Sequence, residues 1–227
     1  MMKVTYLGHA SLSVEMGGKN IIFDPFITGN ELAKNIDIKS LKADYILLTH
    51  GHADHVADVE PIVENTGAKI ISNFEVVNWF APKGVVGHPM NHGGKWKFEF
   101  GTVKYVNAIH SSSMPDGSYG GNPGGFVVWD DNKCFYVAGD TALTEDMKII
   151  PKTTPKLDFC VLPIGDNFTM DYKDAIKASD YLECDTVIAY HYDTFGYIVV
   201  DKEVVKKAFK EAGKKVIFME IGESLEM

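Results

Sequence analysis

Six consecutive residues carry the densest set of metal donors in the chain. His50-Gly51-His52-Ala53-Asp54-His55 places three imidazoles and a carboxylate on what reads as a strand-to-helix turn, and Gly51 and Ala53 are small enough to let the backbone curl around an ion. Such donors suit zinc, manganese or iron, and with no cysteine among them the residue types do not choose between these metals. A divalent ion held by such donors can lower the pKa of a bound water and polarise a bond, so metal-assisted chemistry is what these residue types offer.

The elements that must position these groups follow from the apolar runs. Residues 45–49 end at His50, 103–109 at His110, 134–139 at Asp140, 159–165 at Asp166 and 186–190 at His191. Near-continuous apolar runs of strand length suit strands buried on both faces, so the expectation is a layered α/β fold with helices covering the sheets. Strands ending at one edge would bring these five polar residues together. The opening reads as short strands at 3–7, 11–15 and 20–23, with Gly17-Gly18 as a hairpin turn and Asp24-Pro25 as a stop. Helices fit 58–65 with a stop at Gly67, 171–182, and a stretch capped by Asp201 and ended by Gly213. Residues 111–125 hold five glycines, four serines and two prolines and read as a loop placed directly after His110.

The six-residue motif resembles the His-x-His-x-Asp-His signature of the metallo-β-lactamase superfamily. The family's later ligands look like His110, Asp140 in Ala138-Gly139-Asp140-Thr141, and His191. More narrowly, Gly8-His9-Ala10-Ser11, Asp24-Pro25, His110-Ser111-Ser112, Pro163-Ile164-Gly165-Asp166 and the His191-Tyr192 region look like the metal-dependent hydrolases related to bacterial ascorbate-6-phosphate lactonase. The resemblance covers essentially the whole chain. It implies a single domain, 1–227, folded as a four-layer αββα sandwich of two mixed sheets flanked by helices, with a two-metal site between the sheets. By the same analogy one ion takes His50, His52 and His110, the other takes Asp54, His55 and His191, and Asp140 bridges them. The cofactor expected is two divalent metal ions, Zn2+ by default with Mn2+ or Fe2+ as alternatives. Asp54 gains a second role as acceptor for the attacking hydroxide, so Asp54 and Asp140 are the catalytic candidates.

Other residues are weighed one by one. His9 is either a hydrogen-bonded structural histidine or a direct participant in the chemistry. Asp24 suits the job of holding a ligand imidazole in the right tautomer, against an ordinary Asp-Pro turn. His92 is a substrate-contact candidate. Asp166 and Asn167 either orient substrate or cap a helix, and Tyr192 or Thr194 offers a hydrogen bond to a developing oxyanion.

Composition narrows the substrate. The chain has 227 residues, 31 acids against 22 basic residues, all of them lysine, and a net charge of −9. It contains neither arginine nor glutamine, which leaves no guanidinium fork for guanine and no basic footprint for nucleic acid. Residues 43–68, 105–132, 134–147, 157–172 and 178–201 lack lysine as well, and these windows hold every candidate metal ligand. The positive charge at the site should therefore be almost entirely inorganic, which favours a small, neutral or weakly anionic substrate. The leading function is cleavage of a small-molecule ester, lactone or related acyl or phosphoester bond. The alternatives are a phosphodiesterase or nuclease of the same superfamily, for whose accessory regions 227 residues leave little room, and a non-hydrolytic di-iron redox protein, which usually has glutamate where His52 stands. Three scattered cysteines in apolar stretches read as reduced, and no segment reads as a signal peptide or membrane span, so a cytoplasmic protein without membrane partners is expected, with homo-oligomerisation open.

Overall fold

The computed structural model describes residues 2–227. Fourteen strands form two seven-stranded sheets. The first contains β1 (Lys3–Gly8), β2 (Ser11–Met16), β3 (Lys19–Phe23), β4 (Tyr45–Leu47), β5 (Lys69–Asn73) and β6 (Gly87–Met90), with the last strand of the chain, β14 (Ser224–Glu226), on the outer side of β1. The second runs in the order β13 (Lys215–Ile217), β12 (Thr186–Tyr190), β11 (Phe159–Pro163), β10 (Cys134–Val137), β9 (Gly124–Trp129), β8 (Gly101–Asn107) and β7 (Lys95–Phe98). Each sheet is mixed. Strands β3 to β6 are parallel in one and β10 to β13 in the other, and the remaining pairs are antiparallel.

Side-chain alternation along the strands builds three cores. Ile21 and Phe23 of β3, Tyr45 and Leu47 of β4 and Ile71 of β5 point between the sheets, where they meet Tyr105, Phe126, Phe135, Phe159 and Ile188. The intervening Ile22, Ile46 and Ile70 face outward and are covered by α1 (Ala53–Val56), α2 (Val59–Thr66) and α3 (Phe74–Phe80), through Val56, Val59, Ile62, Val76 and Phe80. On the far side Tyr136, Cys160, Leu162 and Val187 lie under α4 (Ile150–Thr153), α5 (Tyr172–Tyr181) and α6 (Lys202–Glu211). A period of two thus serves two cores at once, which explains why these strands read as unbroken apolar runs. The result is the expected αββα sandwich of the metallo-β-lactamase type. No helix among the described residues is long and apolar enough to cross a membrane.

The strands and helices expected from sequence agree with the observed elements to within a few residues, β5, β6, β7, β9, β13, β14, α3 and α4 are additional, and one side chain at a helix start is informative. Asp58 does not cap α2 with its side chain. It is fully buried and turned the other way, where Oδ2 accepts from the Ile27 and Thr28 amides at 2.5 and 2.9 Å and Oδ1 from the Thr28 hydroxyl at 2.5 Å. A carboxylate with three donors outweighs a single helix cap, and it pins the turn that follows β3. Asp58→Ala is expected to cost about 1–3 kcal/mol of stability, measured as a shift in the denaturant midpoint, because it strands the buried Ile27 amide and removes the acceptor of both Thr28 donors. A loss below about 0.5 kcal/mol would show that water replaces the carboxylate there.

Candidate metal centre

The site lies along the rim where strands of both sheets end. His9 follows β1, Asp24 follows β3, His50 follows β4, His110 follows β8, Asp140 follows β10 and His191 follows β12. His9, Asp24 and His191 all have positive φ, at 54°, 42° and 55°, conformations that ordinary residues avoid and that cluster here because the chain must turn sharply as it leaves each strand. Gly139 meets the same need beside Asp140. Its φ is 67°, and a Cβ there would sit 2.7 Å from Cβ of Thr49.

The donors converge as two groups. His50, His52 and His110 form one, with ligand atoms all within 4.8 Å of one another, and Asp54, His55, His191 and His9 form the other to the same limit. Asp140 Oδ2 stands between them, 3.0 Å from Nε2 of His191, 3.4 Å from Nε2 of His55 and 3.5 Å from Nε2 of His110. All seven residues singled out from sequence as ligands are therefore together. Several of their polar atoms are buried without a hydrogen-bond partner: Nε2 of His55, both ring nitrogens of His191 and Oδ1 of Asp140. Orphaned donors of this kind are costly in a protein interior and fit a set of side chains built to hold cations.

The supports behind these groups are equally specific. Asp24, buried completely, accepts from Nδ1 of His55 at 2.9 Å and from the Thr49 amide and hydroxyl at 2.8 and 2.6 Å. The same hydroxyl lies 3.0 Å from Nδ1 of His50, so one carboxylate orients two imidazoles. His52 meets the Ser111 hydroxyl at 3.2 Å, and the Ser112 hydroxyl takes the Gly51 amide at 3.1 Å. His9 is buried between the Asp54 carboxylate and the Thr194 hydroxyl, 3.0 Å from each. Sequence reasoning missed Thr49 and Ser111, although each adjoins a named histidine and carries a hydroxyl able to reach its ring.

Burial holds the imidazoles of His50, His52 and His110 below the usual histidine range, and brings His9 down to about 4 against the pull of Asp54. These rings are neutral at physiological pH, the form that binds metal. Burial acts in the same sense on His55, but Asp140, Asp54 and Asp24 outweigh it and hold that imidazole well above its ordinary value. Burial opposes ionisation of Asp54 and Asp140 too, yet the neighbouring histidines keep both carboxyls far below the carboxylate range.

A cleft of about 910 Å³ opens above the donors, lined by His52, Asp54, His110, Ser111, Asp140 and His191, together with Phe26, Phe168, Phe195 and Tyr197. No lysine lines it. Four other candidates stand apart from it. Asp166 and Asn167 are exposed, both in the left-handed region, in a turn where Oδ1 of Asp166 accepts from the Asn167 amide; this turn carries Phe168, rather than either polar residue, into the cleft. His92 lies against the Tyr105 ring at 4.8 Å and contacts the Pro123 carbonyl at 2.9 Å, away from the cleft. Tyr192 is buried against Tyr6 and Phe218, bordering a separate cavity behind His9, beyond the sharp turn that the left-handed His191 makes at the end of β12.

Fold and donors together define a protein of the metallo-β-lactamase fold with a candidate metal centre. The chain belongs to the β-lactamase superfamily, matching the family described as the beta-lactamase superfamily domain over residues 19–192. It is 63% identical over 226 residues to a UPF0173 metal-dependent hydrolase of Flavobacterium johnsoniae, and 61% identical over 227 residues to one of Christiangramia forsetii, with 100% of each chain covered in both. The solved structure of Igni18, a metallo hydrolase from Ignicoccus hospitalis, shares 35% identity and a TM-score of 0.89 over 100% of this chain and 99% of that one. The chain is accordingly a metal-dependent hydrolase.

Asp24→Ala should weaken metal binding by about 10–100-fold in a chelator competition, since it removes the acceptor that orients His55. Unchanged affinity would show that Thr49 and packing suffice. Chelator-treated protein should also lose stability on acidification from about pH 6.5 to 4. His9, His50, His52 and His110, lowered in the fold, bind protons more readily in the unfolded chain, so each contribution is lost as pH falls from the unfolded value towards the folded one. His55 has the opposite sign, its contribution being complete below its unfolded value and lost only as pH rises through its raised folded one, so it stays constant over this range, while Asp24, raised by burial, is the one group of these that gains as pH falls against the four histidines. A denaturant midpoint that rose on acidification would contradict this balance.

Proposed function

We propose that the chain hydrolyses an ester, lactone or related acyl or phosphoester bond in a small, neutral or weakly anionic molecule, and that it uses two divalent metal ions, zinc by default, to do so. The observation that carries this reading is the pair of donor groups sharing Asp140 at the floor of a cleft without lysine. His50, His52 and His110 would hold one ion, Asp54, His55 and His191 the other, and Asp140 would reach both. Bound there, divalent ions supply an acidified water and polarise the bond under attack. The remaining work falls to side chains of this chain. Asp54 is partly open to the cleft, and its Oδ2 is held by His9, so its carboxylate can orient the attacking water and accept its proton. His9, neutral and anchored by Thr194, keeps that carboxylate in place.

The test is hydrolysis by protein reconstituted with zinc, manganese or iron, over a panel of lactone, thioester and phosphodiester substrates, with Asp140→Ala as the negative control. Lactone or ester turnover well above the control is expected, and no turnover above it with any metal would overturn the reading. Asp54→Ala should lose most activity while the ion at His50, His52 and His110 stays bound, as measured by metal analysis. Turnover within about tenfold of the parent would remove Asp54 from the proton-transfer role.

A further inference from the structure

The cleft has walls of unlike chemistry. His52, Ala53, His110 and Ser111 border one part of it, while Phe26, Phe168, Phe195 and Tyr197 supply four aromatic rings. These rings come from three separate segments, after β3, after β11 and after β12, yet they pair in space. Phe26 and Phe195 lie 6.3 Å apart between centroids, and both set an edge against the ring of His9, at 5.5 and 5.2 Å. Phe168 and Tyr197 pair at 6.2 Å nearer the mouth, where they are 48% and 79% exposed. A fold that buries most of its large rings leaves these facing water beside its donor site, which is unfavourable unless something covers them.

The segments that present the rings are well secured. Asp58 pins the turn that carries Phe26. Beside Phe168, the Asp166 amide donates to the Met170 carbonyl. Around Phe195 and Tyr197, the Asp193 amide donates to the Ile198 carbonyl and its carboxylate accepts from the Val200 amide. The aromatic wall is therefore pre-organised, which lowers the cost of binding against it.

Charge points the same way. Asp54 and Asp140 are the acids among the lining residues, and no lysine accompanies them. The nearby Lys202 lies in the cavity behind His9, 3.7 Å from Asp193 and 5.2 Å from the Tyr192 ring centre. An anionic substituent reaching up from the floor would meet no side-chain cation, whereas an apolar one would cover the exposed rings and gain from leaving water.

We propose that the substrate is an uncharged ester or lactone whose aromatic or alkyl substituent lies against Phe26, Phe168, Phe195 and Tyr197. This rests on the hydrolytic reading above for the scissile bond, and on the cleft alone for the substituent. The two parts separate if binding is measured with lactams, which keep the ring of the corresponding lactones and resist hydrolysis. Pyrrolidinone, phenylpyrrolidinone and pyroglutamate supply a bare, an aromatic and an anionic member, titrated against the metal-loaded protein by ligand-observed NMR.

The phenyl compound should bind about tenfold more tightly than the bare ring, and pyroglutamate no more tightly than the bare ring. Phe168→Ala and Tyr197→Ala should each reduce that preference about threefold or more, while Trp96→Ala, an exposed ring on the edge strand β7, should leave it intact. Preference for pyroglutamate, no phenyl preference, or a preference that survives both cleft variants would overturn the proposal. The matching lactones then test the bond. If they are not hydrolysed while the lactam pattern holds, the hydrolytic reading fails and the assignment of the aromatic wall stands.

Discussion

The buried carboxylate of Asp24 is the contact on which the site depends. It closes the end of β3 onto the end of β4 through the Thr49 amide and hydroxyl, and reaches the start of the helical turn through Nδ1 of His55. Burial raises the pKa of this acid against the opposing pull of His55 and of the Thr49 donors, which hold the carboxylate in place. Each partner is thereby fixed in direction. Thr49 hands on the constraint to His50, and His55 presents its free Nε2 to the floor of the cleft. One buried acid thus connects the sandwich to the orientation of two imidazoles in two different donor groups.

The electrostatics follow from the same packing. Burial keeps His50, His52 and His110 neutral, the carboxylates around His55 hold its imidazole well above its ordinary value, and Asp140, surrounded by histidines, stays ionised. Two divalent ions would take the formal charge from −9 to about −5. Because no lysine lines the cleft, that inorganic charge would be the positive field a substrate meets. Above it the walls turn aromatic. On the proposed reading, attack and recognition fall at different depths of one cleft.

Much of this is legible in the sequence. His50, His52, Asp54 and His55 are close in the chain, so local geometry alone gathers them. His110, Asp140 and His191 each end an apolar run, and parallel or adjacent strands ending at one rim bring such residues together. Asp166 satisfies the same description and yet turns away, because residues 166 and 167 take left-handed conformations and send Phe168 inward instead. Tyr192 is turned away by the left-handed His191 before it, and His92 sits in the turn between β6 and β7 against Tyr105. The direction of a side chain one position beyond a strand depends on the turn, and turns of this kind are set by contacts with distant segments.

By itself, then, the amino-acid order determines the strand endings, the donor types, the absence of arginine and the scarcity of lysine near the ligands. These are properties of single residues and of short-range periodicity, which the chain carries whether folded or not. Only the tertiary structure decides that Asp58 abandons its helix to hold the turn of Phe26, that Thr49 links Asp24 to His50, and that four aromatic residues spread from position 26 to position 197 meet at one mouth. The physical reason is that hydrogen-bond direction and ring stacking require relative placement of segments far apart in sequence. That placement exists only once the sheets have packed against each other and against their helices.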